Sequence, residues 1–104
     1  MHLLEKHPLF DCDLKEAALW YGERNPAVAA RLIDDAELAI RAVVASPLRF
    51  SVWRGPIRRV KLRRFPHLVF YEIHHNTVYL LALAHGARNL PALLSERHSH
   101  GQDL

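Results

Sequence analysis

The stretch IRRVKLRR, residues 57–64, sets Arg59, Lys61 and Arg63 at every second position. In an extended strand such residues share one face and stand about 6.8 Å apart. A row of cations at that spacing suits a phosphodiester backbone or a line of carboxylates. Arg serves as a two-pronged clamp and Lys as a point charge. Neither reads base sequence. A second polar group closes the run VYLLALAHGARN, residues 78–89, where His85 and Arg88 leave the most hydrophobic segment of the chain. Gly86 between them permits a tight turn. Histidine can carry a proton near neutral pH, and arginine can stabilise an extra negative charge. A sheet that set this strand beside the basic one would gather all these groups on one surface. Two plainer readings stay open. A water-facing strand uses cations to resist edge-to-edge pairing, and a strand-end histidine can simply hold its turn.

The surrounding composition bounds what such a surface can be. At 104 residues, 50% apolar and 24% charged, the chain reads as one globular domain. We place that domain at residues 1–97 and expect a frayed tail over 98–104. No apolar run approaches the ~20 residues that span a bilayer, so no membrane role is expected. The start MHLLEKHPLFDCD lacks a basic n-region followed by a long apolar block. Cys12 is the lone cysteine and cannot form an internal disulfide. A cytoplasmic protein is the resulting expectation. The eight histidines show no metal-ligand spacing, and neither a Gly-rich phosphate loop nor a Ser-His-Asp set is visible. No metal and no cofactor are therefore expected.

Charge is distributed unevenly. Residues 1–37 hold eight acids against four Lys or Arg. Residues 38–71 contain no acid, yet carry Arg41, Arg49, Arg54, Arg58, Arg59, Lys61, Arg63 and Arg64. Such asymmetry points to an anionic partner for the basic half, either nucleic acid or an acidic protein segment.

Elements that position these groups can be read from periodicity. Leu3–His7 is a short strand stopped by Pro8. Asp13 and Glu16 form a capping-box pair ahead of the stripe Leu14, Ala17, Ala18, Tyr21, which predicts a helix ending near Gly22. Asn25-Pro26 starts a second helix, whose stripe of Ala29, Leu32, Ile33, Ala36, Ile40, Val43 and Val44 runs to Ser46-Pro47. Beyond Pro47 the period falls from 3.6 to 2. Residues 57–64, Leu68–Ile73 and Val78–Ala84 then read as three antiparallel strands, the last covered on both faces. Residues 74–77 are a hairpin turn in which Asn76 can take positive φ. After Pro91 a short helical turn reaches Glu96. The predicted fold is α+β: an N-terminal strand and a helical hairpin packed on one face of an antiparallel sheet. Its other face is left free and carries the Arg59, Lys61, Arg63 stripe.

The segments EAALWYGERNP, RFSVWRGPIRRVKLRRFPHLVFYEI and LALAHGARN together resemble the RelE/ParE superfamily of bacterial type II toxins, closest to the ParE-like, plasmid-stabilisation branch. The resemblance covers roughly residues 3 to 94. It implies a growth-inhibiting toxin neutralised by a cognate antitoxin, with operator DNA bound only through the antitoxin. RelE-type members cleave mRNA in the ribosome, whereas ParE-type members poison DNA gyrase.

By this resemblance, Arg59, Lys61 and Arg88 match basic positions of the RelE-type nucleases. Leu68 stands where those enzymes carry an arginine, and Leu94 where they carry a tyrosine. Cleavage by a 2′-hydroxyl needs a proton acceptor, a proton donor and charge stabilisation. The two leucines supply none of these, although His85 offers a substitute acid or base. The expectation is thus a toxin acting by binding rather than catalysis, with gyrase as target. A ribosome-dependent ribonuclease and a non-toxic basic docking module are the alternatives. Arg59, Lys61, Arg63, Arg64 and Arg88 are the expected target- or antitoxin-binding residues, beside an apolar groove suited to an amphipathic or acidic segment.

Overall fold

The computed structural model describes the backbone of residues 2–102, with side chains to residue 98. Asn25 opens the longer helix as its type predicts: its Oδ1 accepts the Ala27 N–H at 3.0 Å, and Pro26 follows at the first helical position. This helix, α2, spans Pro26–Ala45 and buries Leu32, Ala36 and Val43. The preceding α1 spans Phe10–Gly22, starting three residues before Asp13. His7 holds that start, its Nδ1 accepting the Leu9 N–H at 3.0 Å and its carbonyl the Phe10 N–H at 2.9 Å. Asp13 therefore does not cap α1, and its carboxylate acts elsewhere.

The sheet has five strands: β1 (Leu3–Lys6), β2 (Val52–Arg54), β3 (Ile57–Lys61), β4 (His67–His74) and β5 (Thr77–His85). Their order is β1-β5-β4-β3-β2. β1 lies parallel to β5 and every other pair is antiparallel, so the sheet is mixed. β2 carries too few residues to show a period. Gly55, at φ 49°, and Pro56 turn it into β3. At the β4–β5 hairpin, His75 rather than Asn76 takes the positive φ, 56°, because the two-residue loop needs it at its first position.

β5 explains the apolar run that ends in His85. Tyr71 pairs with Leu80 and Phe70 with Ala82, which leaves Leu81 as an extra residue. This bulge changes the phase of the strand. Val78, Leu80 and Leu83 face the core under α1 and α2, with Phe10, Val69 and Tyr71. Tyr79, Leu81, Ala82 and Ala84 face the opposite side. There they meet Leu90 and Leu94 of a third helix, α3 (Leu90–Gln102).

Two expectations are corrected by α3. The second sheet face is not free: α3 covers it along β5, Ile57 and Phe70 are buried in the same cluster with Trp53 packed against it, and Arg59 and Lys61 stay exposed. The reason is the double-sided apolar character of β5, which needs cover on both sides. The helix also runs to Gln102 rather than ending at Glu96, so the tail expected over 98–104 is helical as far as that; residues 103 and 104 lie outside the described residues.

α1 and α3, on opposite faces, meet around the edge of β5. β1 pairs with β5 only as far as Leu80, which exposes the backbone beyond it. Asp13 accepts the Leu83 N–H at 3.1 Å, and Arg97 donates to the Leu81 carbonyl at 2.9 Å. The two side chains pair with each other in two bonds, at 2.9 and 3.1 Å, and both are over nine-tenths buried. A buried ion pair thus satisfies the backbone that the bulge and the short β1 leave open.

Asp13→Ala leaves a buried guanidinium without its anion and a strand N–H without its acceptor. We expect a loss of about 3–5 kcal/mol of folding stability, read from the midpoint of urea unfolding.

Candidate functional site

The predicted basic row is shorter than its spacing suggests. Arg59 and Lys61 are exposed on β3, opposite Phe70 and Leu68 of β4. They line a concavity of about 470 Å³ with Arg49, Phe50, Ser51 and Leu68. The strand ends at Lys61, because Leu62 donates to the His67 carbonyl at 3.0 Å and the chain turns through Arg63 and Arg64 into Phe65-Pro66. The alternation therefore does not carry Arg63 into the row.

Arg64 faces α2. Its Nη2 donates to Asp35 Oδ1 at 2.8 Å, its Nε bonds the same carboxylate, and its backbone N–H reaches Oδ2 at 3.0 Å. The Asp35 side chain is 1% exposed. Hydrogen bonding from Arg64 holds its carboxyl below the usual aspartate value against the opposing effect of burial, and Arg63 adds to the lowering. Arg64 thus fastens α2 to the β3–β4 connection. Arg58 has a comparable task, donating to the Phe50 carbonyl at 2.7 Å.

His85 and Arg88 line a different concavity, of about 390 Å³, with Tyr21, Trp20 and His67. Within the turn, His85 Nδ1 accepts the Ala87 N–H at 3.0 Å, and the His85 carbonyl accepts the Arg88 N–H at the same distance. The expectation that one surface gathers these groups with Arg59 and Lys61 is not met, since β4 stands between β5 and β3. The apolar groove expected beside the basic face lies instead between α1 and α2. It measures about 660 Å³ and is lined by Leu14, Ala18, Leu19, Ala29 and Ile33.

His67 escaped the sequence reading. The hairpin register at His74 and Thr77, carried straight back, would set Ala84 opposite it; the bulge shifts the ladder by one and brings His85 there. The two rings lie 5.4 Å apart, edge to face, and Tyr21 packs on His67 at 5.9 Å. His67 is buried and its Nδ1 has no hydrogen-bond partner. Burial, then the neighbouring His85, pushes its pKa below the usual histidine value.

Comparison with known proteins meets this arrangement at the level of family. Residues 4–90 match the model described as the ParE toxin of the type II toxin-antitoxin system parDE. The chain belongs to the ParE toxin family. Among solved structures it is similar to one described as the chromosomal ParDE TA system from P. aeruginosa. That likeness has a TM-score of 0.72 at 15% identity, covering 82% of this chain and 96% of that one. It speaks to the shared fold. A solution structure of the conserved hypothetical protein HP0892 from Helicobacter pylori aligns at 23% identity and a TM-score of 0.47, over 84% of this chain and 97% of that one. A search of curated proteins finds no match. The ParE match closes at Leu90, the first residue of α3, so Arg97 and its clamp lie beyond it. In this ParE chain Leu94 is fully buried where α3 packs on β5, and Leu68 borders the basic concavity. The two positions at which the RelE-type set is interrupted are thus packed apolar sites.

A histidine whose pKa is lower folded than unfolded binds fewer protons in the native state. Its contribution to stability is complete above the ordinary value of 6.5 and declines as pH falls below it. Unfolding midpoints should therefore drop on acidification through this range, and less so in His67→Phe.

Proposed function

We propose that this ParE-family protein is a growth-arresting toxin that acts by binding DNA gyrase and is neutralised by a cognate antitoxin. The observation that carries the reading is the basic concavity of Arg49, Arg59 and Lys61, flanked by Leu68 and lined by neither a histidine nor a carboxylate. It offers charge stabilisation without the histidine or carboxylate that most readily moves a proton near neutral pH, which favours binding over cleavage. His85 does not alter this balance, as it lines a separate concavity, with β4 between its strand and the strand of Arg59 and Lys61.

Antitoxin capture has its own support. The groove between α1 and α2 is apolar, and Leu19 and Ile33 along it are 56% and 37% exposed. An amphipathic segment fits such a surface.

Expression without an antitoxin should arrest growth, and the purified protein should inhibit gyrase supercoiling and promote DNA cleavage by gyrase. Intact gyrase activity at micromolar toxin, or transcripts cut after induction, would overturn the gyrase reading. Changing Arg59 and Lys61 together to Glu should weaken target or antitoxin binding about tenfold or more, measured by titration calorimetry.

A further inference from the structure

We infer that Glu72, His74 and His98 form a proton-dependent clasp that holds the distal end of α3 on the sheet. It is closed near and below neutral pH and loosens as the pH rises. The clasp goes beyond the toxin reading and shares no residue with the lining of either concavity or of the groove.

Glu72 lies on β4 opposite Tyr79 of β5, and its side chain is 1% exposed. Its Oε1 stands 2.6 Å from Nδ1 of His98, on α3, and 3.7 Å from Nε2 of His74, on its own strand. Its Oε2 and the Tyr79 hydroxyl are buried with no hydrogen-bond partner. Burial, then Glu5 of β1 and Glu72 itself, pushes the Tyr79 pKa above the usual tyrosine value, so that hydroxyl stays neutral. The permanent cations of the flanking elements are engaged elsewhere: Lys6 with Asp11, Arg97 with Asp13, and Arg58 of β3 with the Phe50 carbonyl. Among the described residues, the ion-pair partners of Glu72 are therefore two histidines.

A carboxylate so deeply buried needs a cation or a proton. Lysine or arginine would supply charge at any pH, whereas histidine does so only when protonated. At 2.6 Å, an unprotonated imidazole nitrogen and a carboxylate oxygen turn lone pairs on each other and repel. One proton removes the conflict, whether it makes an imidazolium beside a carboxylate or a carboxylic acid beside a neutral imidazole. With α3 undocked and both groups in water, that proton is absent above the ordinary histidine value of about 6.5. Closing the clasp therefore takes up one proton there, and its free energy weakens as pH climbs, by up to about tenfold in the closing constant per pH unit. Below that value the free histidine already carries the proton and nothing further is gained. The sign is opposite to that of His67, whose contribution declines on acidification. Leu90 and Leu94 anchor the first half of α3 by apolar packing and Arg97 by its pair with Asp13, so the response is confined to the helix end.

The test is amide hydrogen exchange on the full chain, followed residue by residue and corrected for the intrinsic pH dependence of exchange. Between about pH 6 and about pH 8, protection over residues 98–102 should fall about tenfold or more, while the β5 amides stay protected. Glu72→Gln removes the acid and should abolish this response. His98→Lys keeps its cation across the range and should keep the helix end protected at both values. His67→Phe, on the other side of the sheet, should respond as the parent does. Equal protection of the parent chain at the two pH values, or protection that rises with pH, overturns the inference. So does a parent-like response in Glu72→Gln or His98→Lys. If either of these two variants fails to fold, the other decides, and the parent profile stands as a test without them.

Discussion

A strand that buries both faces must still account for its edge, and in this protein the edge of β5 is closed by two side chains. β1 ends at Lys6, so the backbone around Leu81 and Leu83 has no neighbouring strand on the side away from β4. Asp13 and Arg97 supply the missing acceptor and donor while neutralising one another. The pair also connects α1 with α3, which otherwise pack on opposite sides of the sheet. Two apolar layers are thereby joined at a point where a hydrophobic contact would leave the backbone unsatisfied. Desolvating the two charges is costly, and the bonds to each other and to the main chain offset that cost.

The bulge at Leu81 makes this arrangement necessary and carries its effects toward the strand's exit. By adding one residue it turns the second half of β5, so that Leu83 continues the core under α1 and α2 while Ala84 faces α3. The same shift sets His85 against His67, which brings Tyr21, His67 and His85 into successive edge-to-face contact. The polar exit of the most hydrophobic strand is therefore a packed turn. His85 serves it through Ala87, with Arg88 at the rim of a separate concavity.

Cations in the acid-free half of the chain divide between structural and open roles. Arg64 fastens α2 through Asp35, and Arg58 fastens the loop before β2 through Phe50. Arg49, Arg59 and Lys61 stay at the surface around one concavity. An acid-free segment is thus no direct measure of a binding surface, because part of its charge is neutralised by a buried acid from another element. What survives is narrow and local.

Local signals fixed much of the architecture. Asn25-Pro26 set the start of α2, Ser46-Pro47 its end, and the change of period beyond Pro47 identified β3, β4 and β5. Each of these depends on residues within a turn or two of one another, where capping, proline geometry and side-chain alternation act. The family was legible for the same reason, in motifs lying between Glu16 and Asn89. Tertiary structure alone decided the roles of Asp13, Asp35, His67 and Arg97. The Asp13–Arg97 pair joins residues 84 apart and the Asp35–Arg64 pair residues 29 apart, and no local pattern encodes such distances. It also decided that Arg63 leaves the basic row, that α3 covers β5 on a face expected to be open, and that β5 shifts register by one. A period tells which residues share a side of their own element; only packing tells what that side meets.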